Sequence, residues 1–245
     1  MVASDVNNDG VEPVTGPLGS EAKKCVVVFS GGQDSTTCLY WAIEKFGRDN
    51  VVALSFDYGQ RHCIELASAK KIAEMAAVPH AIVALPIFSG LAANALTSEN
   101  VEVDAVTPEN DLPNTFVPGR NLFFLTYAAA WGYQRGINDV VTGVAQTDYS
   151  GYPDCRENTM LALQKTVSFG MDRSFVIHTP LMHLSKAETV KMAQRNGAIP
   201  ALAYSHTCYN GVFPPCERCP ACELRAVGFA SAMVGDPLVE RARGL

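Results

Sequence analysis

The feature that most constrains this chain is a short apolar run, Cys25-Val-Val-Val-Phe29. It breaks at once into Ser30-Gly31-Gly32-Gln33-Asp34-Ser35 and then into a helical pattern over 35–46. A continuous apolar run of this length suits a strand buried on both faces. The two glycines let the backbone approach an anion with no Cβ in the way, and the helix start behind them offers unpaired N–H groups and a partial positive charge. Strand, glycine turn and helix in that order predict a phosphate-binding loop. The plainer reading is an ordinary strand-to-helix turn with Asp34 or Ser35 as the N-cap.

The same alternation continues along the chain. Strands are expected at 51–56, 81–85, 139–144 and 175–178, and helices at 65–77, 119–134, 158–169 and 185–196. Alternating apolar strands and helices predict an α/β fold, a doubly wound, mainly parallel, Rossmann-like sheet covered on both faces. In such a sheet the ligand lies outside the carboxyl ends of the strands, where the strand order reverses. If the first and fourth strands flank that point, the glycine turn faces the loop 143–154. There Gln146, Thr147, Asp148 and Tyr149 could read a small heterocycle. Asp148 suits a guanine-like edge, because a carboxylate accepts from an amino group and a ring N–H together. Tyr149 and Tyr152 either stack on that base or pack the loop.

Two stretches fall outside the alternation. Residues 1–22 are polar and mildly acidic with no apolar period and read as a disordered tail. Residues 86–118 carry Pro86, Pro108, Pro113 and Pro118 in a stretch too long for a simple connection, which suggests a lid. The expected organisation is a tail over 1–22, a nucleotide-binding domain over 23–204, and a metal-binding segment with a C-terminal helix over 205–245.

That last segment holds Cys208, Cys216, Cys219 and Cys222, at spacings that a tight turn can bring around one tetrahedral ion. One structural Zn²⁺ per chain is the default, since a closed four-thiolate site has no open position for water. His206 could replace one cysteine, and an iron–sulfur cluster is the rival, because four cysteines also suit iron. Cys25, Cys38, Cys63 and Cys155 read as inert core or loop thiols. Reduced thiols fit the cytoplasm, where the chain is expected to reside. No apolar run approaches the ~20 residues of a membrane span, and the first 20 residues lack a signal-peptide pattern. A formal net charge of −6 gives none of the basic excess of a nucleic-acid surface.

The glycine turn lacks the lysine of the Gly-x-x-x-x-Gly-Lys loop and does not match Gly-x-Gly-x-x-Gly. It resembles the Ser-Gly-Gly-x-Asp-Ser loop of the ATP pyrophosphatase (PP-loop) superfamily, which includes NAD synthetase, GMP synthetase and tRNA-thiolating enzymes. The resemblance implies that ATP is split between its α- and β-phosphates. The leaving pyrophosphate would be held by Phe29, Ser30, Gly31, Gly32, Gln33, Asp34, Ser35 and Thr36, with Mg²⁺ shielding its charge. Asp34 would help hold Mg²⁺ or position the loop.

A narrower resemblance rests on 29–38, Thr-Phe-Val-Pro-Gly-Arg-Asn at 115–121, Thr-Asp-Tyr-Ser-Gly-Tyr-Pro-Asp-Cys at 147–155, His-Thr-Pro-Leu-Met at 178–182, and Cys-Tyr-Asn-Gly at 208–211 running into the other three cysteines. Together these make the chain similar to the 7-cyano-7-deazaguanine synthase (QueC) family of queuosine biosynthesis over roughly 25–225. The resemblance implies an ATP-dependent carbon–nitrogen ligase that turns 7-carboxy-7-deazaguanine and ammonia into the nitrile through adenylated acid and amide. Arg120 or Lys186 would support developing phosphate charge, with Asp34 the third catalytic candidate, and Arg120, Gln146, Asp148 and Tyr149 would contact the substrate. The plainer readings are a surface salt bridge for Arg120, a helix-face charge for Lys186, and satisfied structural histidines for His178 and His183. With no visible glutaminase domain, free ammonia is the expected donor, with no nucleic-acid or membrane partner and with a homodimer permitted. Two rivals remain: a tRNA-modifying PP-loop enzyme with Cys38 or Cys155 carrying sulfur, and a regulatory module that binds ATP or AMP without chemistry.

Overall fold

A computed structural model of the chain describes residues 23–59, 64–85, 112, 115–146 and 152–244. The expected tail and nearly all of the expected lid lie outside these residues. Five parallel strands are formed by Cys25–Val28 (β1), Val51–Asp57 (β2), His80–Ala84 (β3), Asp139–Val141 (β4) and Val176–His178 (β5), in the order β3-β2-β1-β4-β5. The order reverses between β1 and β4, whose registers meet at Cys25–Asp139 and Val27–Val141. The phosphate-loop strand therefore stands at the switch point, the position at which an open α/β sheet leaves a crevice.

Residues alternate between the two faces of β1, and each face has its own cover. Val26 joins Leu54, Phe56 and Val140 beneath Arg120–Tyr133 (α3) and Glu157–Gly170 (α4). Val27 joins Ala53 and Val141 beneath Gln33–Phe46 (α1) and Ile64–Ala76 (α2). Cys25, Val26 and Val27 are fully buried. Burial on both sides is why these strands read as continuous apolar runs rather than alternating ones.

The rest of the chain packs around Lys186–Arg195 (α5). Ser185 starts it with a reciprocal capping box to Glu188, which satisfies two donors that a helix start leaves open. The short Ile199–Leu202 (α6) follows, then the cysteine segment, Pro220–Ala232 (α7) and Pro237–Ala242 (α8). Val190, Ala193, Leu202 and Phe229 form the small core that these helices share. α7 crosses α5 at Gly228, where a Cβ would stand 2.9 Å from Lys186 Cβ.

Two expectations need correction. β4 ends at Val141 rather than at 144, because its partner β5 stops at His178, opposite Val141, and Thr142 N–H closes the ladder on His178 O at 3.0 Å. The single C-terminal helix is two. α7 ends at Met233 in the left-handed conformation, and Asp236 caps α8 ahead of Pro237.

Candidate active site

The glycine turn leaves β1 and enters α1 with no side chain capping the helix. Its N-cap is Gly32, so Asp34 and Ser35 lie inside the first turn and the plain N-cap reading is not realised. The serines brace the turn instead. Ser30 Oγ accepts from Gly32 N–H at 3.3 Å and stands 3.1 Å from Ser35 Oγ, which donates to Gly32 O at 3.2 Å. Gly31 has φ +79°, and a Cβ on it would fall 2.6 Å from Ala69 N and 2.8 Å from Glu65 O. Helix α2 is thus pressed against the turn at a spot only glycine can occupy.

Three buried side-chain atoms here have no hydrogen-bond partner: Gln33 Nε2, Asp34 Oδ1 and Thr36 Oγ1. Unsatisfied buried polar atoms are uncommon and costly. Of these three residues, Asp34 lines the cavity that opens from this turn, while Gln33 and Thr36 are buried beneath the turn. Asp34 is held from its other oxygen by Lys186, whose Nζ donates to Oδ2 at 2.7 Å with both side chains largely shielded. The structure therefore unites two of the expected catalytic residues, one from α1 and one from the first residue of α5.

From this turn a cavity of about 290 Å³ opens over the carboxyl ends of β1, β2 and β4. Phe29, Ser30, Asp34 and Ser35 form one wall, and Thr142, Gly143, Val144 and Ala145 the wall beyond the switch point. Phe56, Tyr58, Phe124, Tyr152 and Tyr209 line the remainder, with Arg120 and Glu65 among them. Phe56 and Phe124 stack at 4.5 Å, and Tyr58 tilts against Phe124 at 5.3 Å.

Arg120, the first residue of α3, is half-buried with its guanidinium 5.9 Å from the Tyr58 ring. Burial works against its charge, but Tyr58, Tyr152, Asp154 and Glu65 outweigh that and hold it cationic. Asp154 also fixes the start of α3, accepting from Asn121 N–H at 3.0 Å. Glu65, in the first turn of α2, has the opposite balance. Burial pushes its carboxyl up to about 7, against the lowering pull of Arg120. Burial likewise raises the Tyr58 and Tyr209 phenols.

The cysteine segment closes the cavity from the far side. The sulfurs of Cys208, Cys216, Cys219 and Cys222 all lie within 4.8 Å of one another, with Cys216 and Cys222 4.0 Å apart. Thiolates at about 2.3 Å around one tetrahedral ion would sit about 3.8 Å apart, so this donor set fits a single metal ion. His206 is turned elsewhere: its Nε2 pairs with Cys208 O at 2.9 Å, and its N–H donates to Gly31 O at 2.9 Å. Tyr209, next to Cys208, reaches the cavity. The cysteine segment thus touches the glycine turn on one side and the cavity on the other.

Known proteins similar to this chain give its family. The family model described as "Queuosine biosynthesis protein QueC" matches residues 24–233. The chain is 59% identical over 222 residues to the 7-cyano-7-deazaguanine synthase of Chromobacterium violaceum, covering 90% of this chain and 95% of that one. It is 58% identical over 226 residues to the enzyme of the same name from Laribacter hongkongensis, covering 92% and 98%. The chain belongs to the QueC family. Among solved structures, NMN synthetase from Francisella tularensis superposes with a TM-score of 0.48 at 14% identity, covering 91% of this chain and 84% of that one.

In this QueC-family chain the expected site residues separate into three groups. Phe29, Ser30, Asp34, Ser35 and Arg120 line the cavity, and Lys186 reaches it through Asp34. Arg120 is not a surface salt bridge. Its guanidinium stands in the aromatic part of the cavity. Gln146 is exposed and its Oε1 accepts from Glu157 N–H at 3.1 Å, so it caps the start of α4 and does not line the cavity. Asp148 and Tyr149 lie outside the described residues. Tyr152 lines the cavity with its hydroxyl 2.5 Å from Thr115 Oγ1, so it packs the loop.

His178 is held by Asp139 at 2.7 Å and His183 by Glu157 at 3.1 Å, and neither lines the cavity. Cys25 and Cys38 are buried, with burial pushing the Cys25 thiol up to about 12 and raising that of Cys38, so both stay protonated. Cys155 differs from the expectation of an inert thiol only in place: it lines the cavity and its Sγ accepts from Asn121 Nδ2. Cys63 lies outside the described residues.

Sequence reasoning missed Glu65, Tyr58 and Tyr209 in the cavity, and Arg225 behind it. Arg225 is 3% exposed. It makes a bidentate pair with Asp236 at 2.7 and 2.8 Å and donates to Ser205 Oγ, Thr207 Oγ1 and Leu202 O, pinning the run that leads into Cys208. A helical arginine two residues from a glutamate reads as a solvated charge; its partner carboxylate, Asp236, follows only after the break at Met233, and its other partners lie in the run 202–207.

Proposed function

We propose that this chain is a 7-cyano-7-deazaguanine synthase, a carbon–nitrogen ligase that uses ATP to convert 7-carboxy-7-deazaguanine and ammonia into the nitrile. The observation that carries this reading is one cavity that joins the glycine turn, with the unpartnered Asp34 Oδ1 in its wall, to an aromatic chamber holding Arg120 and Glu65. The kinship to synthases at 59% and 58% identity points to the substrate.

The residues divide the work as follows. The backbone N–H groups at the start of α1 and the Ser30 and Ser35 side chains bind the β- and γ-phosphates, which leave as pyrophosphate. Mg²⁺ supplies charge neutralisation when bound, and Asp34, fixed from behind by Lys186, is the carboxylate placed to hold it. Arg120 attracts the substrate carboxylate and stabilises charge as its oxygen attacks the α-phosphorus. Phe56, Tyr58 and Phe124 present apolar and aromatic surface for a flat heterocycle. Adenylation turns an otherwise poor leaving oxygen into AMP; ammonia then displaces AMP to give the amide, and a second adenylation lets the amide lose its oxygen.

The four cysteines hold one Zn²⁺. They fit a tetrahedral ion with no position left for water, so its chemistry is structural: it fixes Tyr209 and the His206 backbone against the site. Ammonia is the donor in this reading rather than glutamine; the cavity-lining cysteine, Cys155, has Asn121 and Asp154 as neighbours.

The test is mass spectrometry of purified protein with 7-carboxy-7-deazaguanine, ammonium, ATP and Mg²⁺. The nitrile, with AMP and pyrophosphate, is expected. A metal-loaded, ATP-binding preparation that leaves the acid unchanged would defeat the assignment, and efficient nitrile labelling from glutamine without ammonium would defeat the ammonia reading.

A further inference from the structure

Each step of this reaction releases a proton that the bound intermediates cannot keep. Attack of ammonia on the acyl-adenylate gives a tetrahedral ammonium; one N–H proton must leave before the C–O bond to AMP breaks and the amide forms. In the second step the adenylated amide first loses one N–H proton to become an imidate. The remaining N–H bond pair then becomes a C≡N π bond, the C–O pair departs with AMP, and this second proton also goes to a base. No oxidant or reductant is involved.

The described cavity wall offers few bases. No histidine lines it. Asp34 has one oxygen on Lys186 at 2.7 Å and the other assigned above to Mg²⁺. Arg120 stays cationic, and burial raises the Tyr58 phenol away from neutrality. Among the described residues, Glu65 is the cavity carboxylate left. It stands in the first turn of α2, whose backbone is pressed on Gly31 of the phosphate loop, and its side chain shares the cavity with Ser30, Asp34 and Arg120.

On the reading of the reaction given above, we propose that Glu65 is the proton acceptor for both amide and nitrile formation, with Arg120 beside it orienting the carboxylate. The charged and titratable groups sharing the cavity with it, or acting on Arg120 beside it, among the described residues are Asp34 from α1, Tyr58 after β2, Arg120 from α3, Tyr152, Asp154 and Cys155 before α4, and Tyr209 from the cysteine segment. Burial with one cation nearby poises this carboxyl near 7, where a base both exists ionised and holds a proton usefully.

The experiment separates adenylation from proton removal. E65Q, E65D and wild-type holoenzyme are compared in acid-dependent ATP–pyrophosphate exchange without ammonia, and in conversion of the isolated amide to nitrile, which needs no ammonia and so carries no ammonium titration. E65Q should keep exchange within about threefold of wild type and lose nitrile formation by about 100-fold or more, in kcat rather than KM, with E65D recovering part of it. The wild-type rate on the amide should rise through pH 7 and level off, a readout that needs no variant. Nitrile formation by E65Q at the wild-type rate, a parallel loss of exchange, a loss confined to KM, or a flat wild-type profile would each overturn the role while leaving the reaction assigned. A wild-type enzyme that makes no nitrile would overturn the reaction itself and this role with it.

Discussion

Replacing Gly31 by alanine tests whether the loop is built as described. The residue sits at φ +79°, and an added Cβ would meet Ala69 N at 2.6 Å, Glu65 O at 2.8 Å and Ala69 Cα at 3.0 Å. All three are backbone atoms of α2, so no rotamer relieves the contact. The left-handed conformation costs an alanine about 1–2 kcal/mol, and overpacking against a fixed wall adds about 1–3 kcal/mol. G31A should therefore lose about 2–5 kcal/mol in urea unfolding, roughly 10 °C in Tm for a chain of this size. Gly136 provides the control: φ is +69° with nothing within 4 Å of its Cβ position. G136A should show the conformational cost alone, about 1–2 kcal/mol. Since the loop can accept the methyl only by moving off α2, ATP affinity should fall at least about tenfold, equivalent to 1.4 kcal/mol, in G31A and stay unchanged in G136A. Equal stability and equal ATP affinity in the two variants would refute the claim that α2 shapes the phosphate site.

Three further outcomes follow from the site. K186M keeps the aliphatic stem against Gly228 but strips Asp34 of its partner, and ATP–pyrophosphate exchange should slow by about 100-fold with circular dichroism unchanged. Glu65 is raised from 4.5 to about 7, so its neutral form is the one the fold favours; the stability it contributes is present below pH 4.5 and lost as pH rises through 7. E65Q should accordingly match wild type in urea unfolding near pH 4.5 and exceed it by about 3 kcal/mol at pH 8; no gain at pH 8 would show that the carboxyl is not strained. Stripping the metal with a chelator should free Tyr209 and the His206 contact to Gly31, lowering Tm and abolishing the Tm rise that ATP produces, while elemental analysis of the intact protein finds one zinc per chain and no visible chromophore.

Much of the fold was legible because burial writes itself into strands. β1 and β2 are covered on both faces and read as unbroken apolar runs, and helices α1 to α5 read from their periodic faces to within two residues. The end of β4 was not legible, since it depends on where a partner 37 residues away stops pairing. In the site, the glycine turn between strand and helix could be read from six contiguous residues, and the clustering of the four cysteines from their spacing. Lys186 could be named, but its bond to Asp34 spans 152 residues and appears only once α5 packs beside α1. Glu65 escaped notice because a glutamate in the first turn of a helix is ordinarily favourable and solvated. What makes it unusual is the chamber formed by Arg120 and three tyrosines, assembled from four distant parts of the chain. Gln146 shows the converse, a residue with suitable chemistry in a suitable loop whose side chain is spent on capping α4.

The central claim, that the phosphate loop serves an adenylation at the substrate's own oxygens, is tested most directly with 7-carboxy-7-deazaguanine labelled with ¹⁸O at both carboxyl oxygens. If each condensation passes through an adenylate, two AMP form per nitrile, each carrying one ¹⁸O, with two unlabelled pyrophosphates. Unlabelled AMP, or ADP with labelled phosphate, would contradict the account.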